Sequence, residues 1–153
     1  MIELWRNIPG IEGYQVSSLG RVRSLPRAVN VSQGKTGDTK RIIPARILKA
    51  CPTYVYGRQH YVTVRLNGKT KNIHRLMAIA FLGPPPFGPK SEVNHKDGNR
   101  HNNVLSNLEW CSKSMNEQHS QQLRANRLAR GITKAEPPKI LKGKKNESKN
   151  SSY

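Results

Sequence analysis

Apolar and polar positions divide the chain into three stretches of different period. In the first, Tyr14-Gln15-Val16-Ser17 and Arg21-Val22-Arg23-Ser24-Leu25 alternate around a Ser-Leu-Gly connection. That predicts a compact β-hairpin in which Gly20 takes positive φ, with Arg21 and Arg23 on its polar strand face. Residues 29–41 are polar and glycine-containing and predict a loop or flexible excursion. In the second stretch Arg46-Ile47-Leu48-Lys49 predicts a short strand and Tyr61 to Leu66 a well-alternating one. Asn67-Gly68 is the strongest short-range turn signal in the chain, with Lys71-Asn72-Ile73 as the return strand. HRLMAIAFL, from His74 to Leu82, has apolar positions suited to a short buried helix, which GPPPFGP (83–89) stops as a semi-rigid connector.

In the third stretch Val93-Asn94-His95 predicts a strand end, Asp97-Gly98-Asn99 a tight turn, and Leu108-Glu109-Trp110-Cys111 a second strand. Ser112 or Ser114 is placed to cap a helix beginning near Met115, with Glu117 completing a capping-box pattern from Ser114. The helix is expected to run to about Arg130 and to stop at Gly131. The remainder, ending KGKKNESKNSSY, reads as a disordered basic tail. The elements predict an α+β protein: a small β-rich N-terminal module (1–50), a ββα core with a lead-in hairpin and helix (51–130), and a flexible basic tail (131–153).

Composition narrows the partner. Only 35% of the 153 residues are hydrophobic, against roughly 45–50% in ordinary globular chains. Lys and Arg number 27 against 9 acidic residues, a formal charge of +18. Such an excess opposes a compact fold by self-repulsion unless a polyanion neutralises it. Nucleic acid is the natural partner, because phosphate contacts release counterions. A ribosomal or histone-like binder would satisfy the same charge. No run of about 18 apolar residues exists to span a membrane. The opening MIELWRNIPG lacks the pattern of a signal peptide. Cys51 and Cys111 stand far apart without a CxxC partner, which disfavours a structural zinc site and a disulfide scaffold. A cytoplasmic protein with two incidental thiols is expected.

The chemistry concentrates in the third stretch. Strand, long polar loop, strand and helix bring distant positions around one small cleft. Phosphodiester hydrolysis needs a base for water, a cation for the developing charge, and a group that fixes the base. His95 suits the first role, since imidazole titrates near pH ~6.5. Asn94 and Asn116 offer hard carbonyl oxygens suited to magnesium or manganese rather than zinc. Asn107 is placed to accept a hydrogen bond from His95 Nδ1–H and so set its tautomer.

The stretch Val93–His119 carries V-N-H-x-D-G-N-x-x-N-N, then S-N-L-E-W, then N-x-x-H, and in this it resembles the HNH module of phage and intron-encoded homing endonucleases. The resemblance implies a ββα-metal nuclease core with His95 as general base. It implies Asn94 and Asn116 as ligands of one Mg2+ (or Mn2+) per active site, and Asn107 as the middle asparagine. Members often carry aspartate where this chain has Asn94. A neutral ligand contributes less charge, leaving water and DNA phosphate oxygens to complete more of the coordination. Near the N-terminus, W-x-x-I, G-Y-x-V-S and G-R-V-x-S resemble the nuclease-associated DNA-binding module found ahead of such domains, and HRLMAIAFLG resembles the lead-in to the HNH strand.

Other residues have blander readings beside the chemical ones. His119 shares a helix face with Asn116 and is a second metal ligand, a phosphate contact or a plain surface residue. His74 reads as structural, His101 as solvated and Asp97 first as a turn residue. Asn99, Asn102 and Asn103 are expected to hold the loop by side-chain-to-backbone bonds, and Trp110 and Leu108 to join the core. Arg21, Arg23, Arg65, Lys69 and Lys71 are candidate phosphate contacts.

The expected function is metal-dependent cleavage of double-stranded DNA by a monomer or weak dimer, in the cytoplasm of a phage-infected host. A 5′ phosphate product is implied by the resemblance. The rivals are a noncatalytic DNA-binding protein of the same fold and an RNA-directed nuclease.

Overall fold

The computed structural model describes residues 2–32, 38–55 and 58–131. Strands β1 (Trp5–Ile8), β2 (Ile11–Ser17) and β3 (Val22–Ser24) run antiparallel. The expected hairpin is present in the register Tyr14↔Ser24, Gln15↔Arg23 and Val16↔Val22, and both valines are buried. At its turn Ser17 Oγ accepts from the Leu19 and Arg21 amides at 3.2 and 3.0 Å, and Gly20 has φ +78°.

Next come β4 (Arg27–Ser32) and β5 (Asp38–Ile43), a two-stranded ribbon where polar composition predicts a loop. The expectation fails because the strands pair through their inward-pointing backbone groups, whatever their side chains, while the outward-pointing groups face away from the partner strand. Between them, the expected loop residues 33–37 lie outside the described residues. The short β6 (Arg46–Ile47) adds to β3 and completes a four-stranded sheet in the order β1-β2-β3-β6.

A three-stranded sheet follows, built from β7 (Cys51–Val55), β8 (Arg58–Leu66) and β9 (Lys69–Asn72). Asn67 and Gly68 take φ 46° and 76°, the positive pair that a tight two-residue hairpin requires. Strand β7 is absent from the sequence reading because Pro52 argues against a regular strand, and its register slips between Pro52 and Tyr54. The predicted helix arrives in two pieces: α1 (Ile73–Met77) and a π-helical turn over Ala78–Leu82, closed by Gly83 at φ +85°.

Strands β10 (Glu92–His95) and β11 (Leu108–Cys111) and helix α2 (Lys113–Ala129) match the predicted ββα unit. Ser112, not Ser114, is the cap: its Oγ accepts from the Met115 amide at 3.3 Å. Helix α2 therefore starts two residues early, and Glu117 is not the partner of a capping box. Gly131 follows the helix at φ +67°. The expected disordered tail lies outside the described residues from 132 onward. Both cysteines are free thiols. No helix among the described residues is long and apolar enough to cross a membrane.

One core serves the whole assembly. Ile8, Val16 and Val22 of the first sheet join Val64 and Leu66 of β8, Ile73, Leu76, Met77 and Ala78 of the helical segment, and Val93 and Leu108 of the ββα unit. Each of these valine, leucine, isoleucine and methionine side chains, fully buried, contributes roughly 1.5–3 kcal/mol. Trp110 packs against this cluster, and its Nε1 donates to the Gly83 carbonyl at 3.2 Å.

The two ends of the fold meet at the β2–β3 turn. The Leu105 amide donates to the Ser18 carbonyl at 2.9 Å. A Cβ at Gly20 would lie 2.6 Å from the Asn103 carbonyl oxygen, so the turn sits directly on the loop between β10 and β11. Gly20→Ala meets both a disfavoured φ and a backbone clash, and is expected to cost more than about 2 kcal/mol in urea denaturation. Gly10→Ala is the control: its φ is +72°, but nothing lies within 4 Å of the added Cβ. It should cost only about 1 kcal/mol. Equal losses would mean that the close approach at Gly20 has no energetic weight.

Candidate active site

The β10–β11 register places Asn94 opposite Glu109 and His95 opposite Leu108. Both Asn94 and His95 are buried, at 6% and 5% exposure, yet both line a cleft of about 530 Å3 between the hairpin loop and α2. His95 Nε2–H donates to Asn103 Oδ1 at 3.1 Å. The other end of the Asn103 amide donates to the His101 carbonyl at 3.3 Å, which turns its oxygen toward the imidazole. Nδ1 is thereby the lone-pair nitrogen of His95. Burial pushes the His95 pKa down, helped by Arg100 and His101, while Asn103 and Asp97 oppose the shift. The imidazole is neutral at ordinary pH, as a general base must be.

The asparagine that fixes His95 is therefore Asn103, and the expected bond from His95 to Asn107 is corrected. Asn107 is committed elsewhere. Its Oδ1 accepts from the Asp97 amide at 3.0 Å, and its Nδ2 donates to Asp97 Oδ1 at 2.9 Å and to the Asn102 carbonyl at 2.8 Å. Asp97 also accepts from the Asn99 amide at 2.8 Å and from Asn102 Nδ2 at 2.7 Å. Burial by itself would raise the Asp97 pKa, but these donors outweigh it and hold the carboxyl below its ordinary value. Asp97 and Asn107 together brace the loop after His95.

Helix α2 forms the opposite wall. Asn116, His119, Ser120, Leu123, Arg124 and Arg127 line the cleft from it. Loop and helix touch closely: a Cβ at Gly98 (φ +70°) would lie 2.5 Å from Leu123 Cδ1. Asn116 Nδ2 donates to Glu92 Oε2 at 2.6 Å, and Asn94 Nδ2 donates to Glu109 Oε1 at 2.8 Å. Among the described residues no group of three or more His, Cys, Asp or Glu forms a ready metal cage. The donor set is instead neutral amide oxygen with an imidazole beside it, which suits a hard cation that keeps several waters.

Behind His95 lies a second buried imidazole. The His74 and His95 rings are 5.3 Å apart edge to face, and Tyr61 lies 4.6 Å from His74. Arg100 stands over the Tyr61 ring at 5.1 Å. His74 Nδ1 is buried without a hydrogen-bond partner. Burial, then the neighbouring His95, Arg75, Arg100 and His60, push the His74 pKa down to about 3.

None of the five basic residues singled out from sequence lines the cleft. Arg21 forms an ion pair with Glu3. Arg23 donates to Gln15 Oε1 at 2.9 and 2.6 Å and stacks over Trp5 at 4.2 Å. Arg65, Lys69 and Lys71 are exposed on the β8–β9 hairpin. The cations at the cleft are Arg100, Arg124 and Arg127. Helical spacing from Asn116 was the signal for the last two, since steps of three and four return to one helix face.

A β-hairpin and helix enclosing a buried histidine and paired asparagines is the ββα nuclease arrangement. Residues 3–67 match the NUMOD4 motif and residues 71–118 match an HNH endonuclease domain. The DNA endonuclease I-HmuI of Bacillus phage SP01 is 33% identical over 146 residues, covering 92% of this chain and 68% of that protein. Two uncharacterized HNH endonucleases of Acanthamoeba polyphaga mimivirus are 30% and 29% identical over 120 residues. They cover 77% and 78% of this chain but 26% and 30% of their own length. The solved structure of the homing endonuclease I-HmuI, which concerns its DNA binding and cleavage, matches with a TM-score of 0.50 at 31% identity, covering 86% of this chain and 62% of that one. The chain belongs to the HNH endonuclease family, whose nucleases generally depend on a divalent metal ion. It spans from about a quarter to about two thirds of the length of these relatives.

His74 makes stability depend on pH. Its folded pKa of about 3 lies below the ordinary 6.5, so the unfolded chain takes up a proton that the folded chain refuses. The stabilisation is complete above about pH 6.5 and is lost as pH falls toward 3, at up to about 1.4 kcal/mol per pH unit. Urea denaturation between pH 4 and 7 should show this slope, flattened by one proton in His74→Phe. An unchanged slope would assign it to other groups.

Proposed function

We propose that this chain is a divalent-metal-dependent endonuclease that hydrolyses phosphodiester bonds of double-stranded DNA. The observation that carries the reading is the convergence of His95, Asn94, Asn116 and three arginines on one cleft, with the His95 Nε2 already bonded to Asn103. His95 Nδ1 is the base that takes a proton from the attacking water. Asn103 holds the imidazole by its Nε2–H, and Asn103 with Asp97 favours the imidazolium that forms. Asn107 acts one step back, by bracing the loop through Asp97. Asn94 and Asn116, with His119 beside them, would hold one Mg2+ (or Mn2+), which when bound would supply Lewis-acid charge for the negative charge that develops on the phosphate. Arg100, Arg124 and Arg127 hold the phosphates at the rim.

The printed name of the phage relative, a DNA endonuclease, supports DNA as the substrate. In this reading residues 1–50 grip the duplex and residues 51–130 cut it. Arg23, Arg65, Lys69 and Lys71 are added backbone contacts, and Arg21 contributes less because Glu3 already neutralises it. The chain works as a monomer or weak dimer, one cut per active site per engagement, and its phage and giant-virus relatives fit action inside an infected cell.

Plasmid nicking with Mg2+ tests the assignment. His95→Ala should lower the rate at least about 100-fold, the usual scale for a positioned base. Arg124→Ala with Arg127→Ala should weaken DNA binding and reduce its salt dependence by about two phosphate contacts. Equal cutting by wild type and His95→Ala would sink the base assignment. DNA binding without cutting by wild type would make the chain a noncatalytic binder, and cutting of single-stranded RNA alone would redirect it to RNA.

A further inference from the structure

We infer that Glu109 and Glu92 are positioning residues for the metal site. Each aims the amide oxygen of one asparagine at the cation and supplies, from behind, negative charge that the neutral ligands lack. The inference rests on the metal site proposed above.

The chemistry of the pairs fixes the direction. A carboxylate only accepts hydrogen bonds, so the NH2 end of a bonded asparagine must face it and the carbonyl oxygen must face away. Asn94 is bound in this way to Glu109 at 2.8 Å, and Asn116 to Glu92 at 2.6 Å. Neither amide oxygen accepts a hydrogen bond among the described residues, and both side chains line the cleft. Two unrelated elements, a strand and a helix, thus present the same asparagine–carboxylate unit. Donation to an ionised acceptor is short and strong. It also draws electron density toward the amide oxygen, making it a better ligand for a hard cation.

The backbone leaves little freedom in this placement. Asn94 and Glu109 are direct cross-strand partners, and Glu92 lies two residues from Asn94 on the same strand face. Helix α2 then carries Asn116 onto that face.

The charge census points the same way. The chain has only 9 acidic residues against 27 basic ones, yet two of them stand behind these asparagines. The one ion pair within 4.0 Å among the described residues is Arg21–Glu3, so no described lysine or arginine nitrogen lies within that distance of Glu92 or Glu109. Two carboxylates without an ion pair among the described residues, each bonded to the NH2 group of an asparagine that lines the cleft, make a site prepared for a cation.

The test uses Mn2+ alone with the full chain, reading its dissociation constant from the paramagnetic broadening of the Asn94 and Asn116 side-chain amide signals. Outer-sphere partners of a metal are worth about 10- to 100-fold in affinity. Glu109→Gln and Glu92→Gln should each weaken Mn2+ binding by about that factor with unchanged thermal melting. Glutamine removes the charge, and because it has both an acceptor oxygen and an NH2 group it no longer forces the asparagine oxygen away from it. The exchanged pair, Asn94→Asp with Glu109→Gln, restores the hydrogen bond with the charge on the ligand and should bind Mn2+ at least as tightly as wild type. Wild-type affinity in both single glutamine variants, with loss in Asn94→Ala, would overturn the inference and leave the metal site standing. Undiminished binding in Asn94→Ala and Asn116→Ala, or no broadening in the wild type, would overturn the metal site itself, and this inference with it.

Discussion

The Asn103 carbonyl occupies the space where residue 20 would carry a side chain, and much of the molecule is arranged around that contact. The β2–β3 turn is held by the Ser17 hydroxyl, and its Ser18 carbonyl accepts from the Leu105 amide, which gives the loop after β10 a fixed floor. On that floor stands Asn103, whose side chain sets which nitrogen of His95 carries the proton. Asp97 and Asn107 then close the loop from its other side. The protonation pattern of the proposed base is thus an outcome of packing between the first sheet and the ββα unit.

Electrostatics is sorted by depth. The surface carries the large positive excess, the cleft rim carries Arg100, Arg124 and Arg127, and the interior carries two neutral imidazoles. Burial is what keeps His74 and His95 uncharged, and His95 further disfavours charge on His74. Carboxylates appear at this centre only where they hold an amide or a turn.

Much of this was legible from the chain. Alternation located the hairpins, Asn67-Gly68 located a turn, and Gly131 a helix end, because each depends on a few neighbouring residues. The convergence of Asn94, His95 and Asn116 followed from the ordered motif. Less legible was what depends on the path of a loop. Asn103 and Asn107 are both within reach of a histidine by spacing, and only the fold sends one to the ring and the other to Asp97. Strand β1 was missed because its four residues bury only Ile8, and the β4–β5 ribbon because backbone pairing leaves no trace in composition. The basic residues nearest the cleft were overlooked because charge excess is a property of the whole chain and gives no address.

The boundary between the two family matches falls between residues 67 and 71, inside the stretch that joins β8 to the helical segment. In space there is no such seam, since Val16, Val64, Met77 and Leu108 share one core and the first turn is seated on the second module's loop. A recombination event that exchanged either half at that point would have to match a core and a turn that lie elsewhere in the chain. A grafted N-terminal half would therefore disturb the loop that carries Asn103 as well as the shared core.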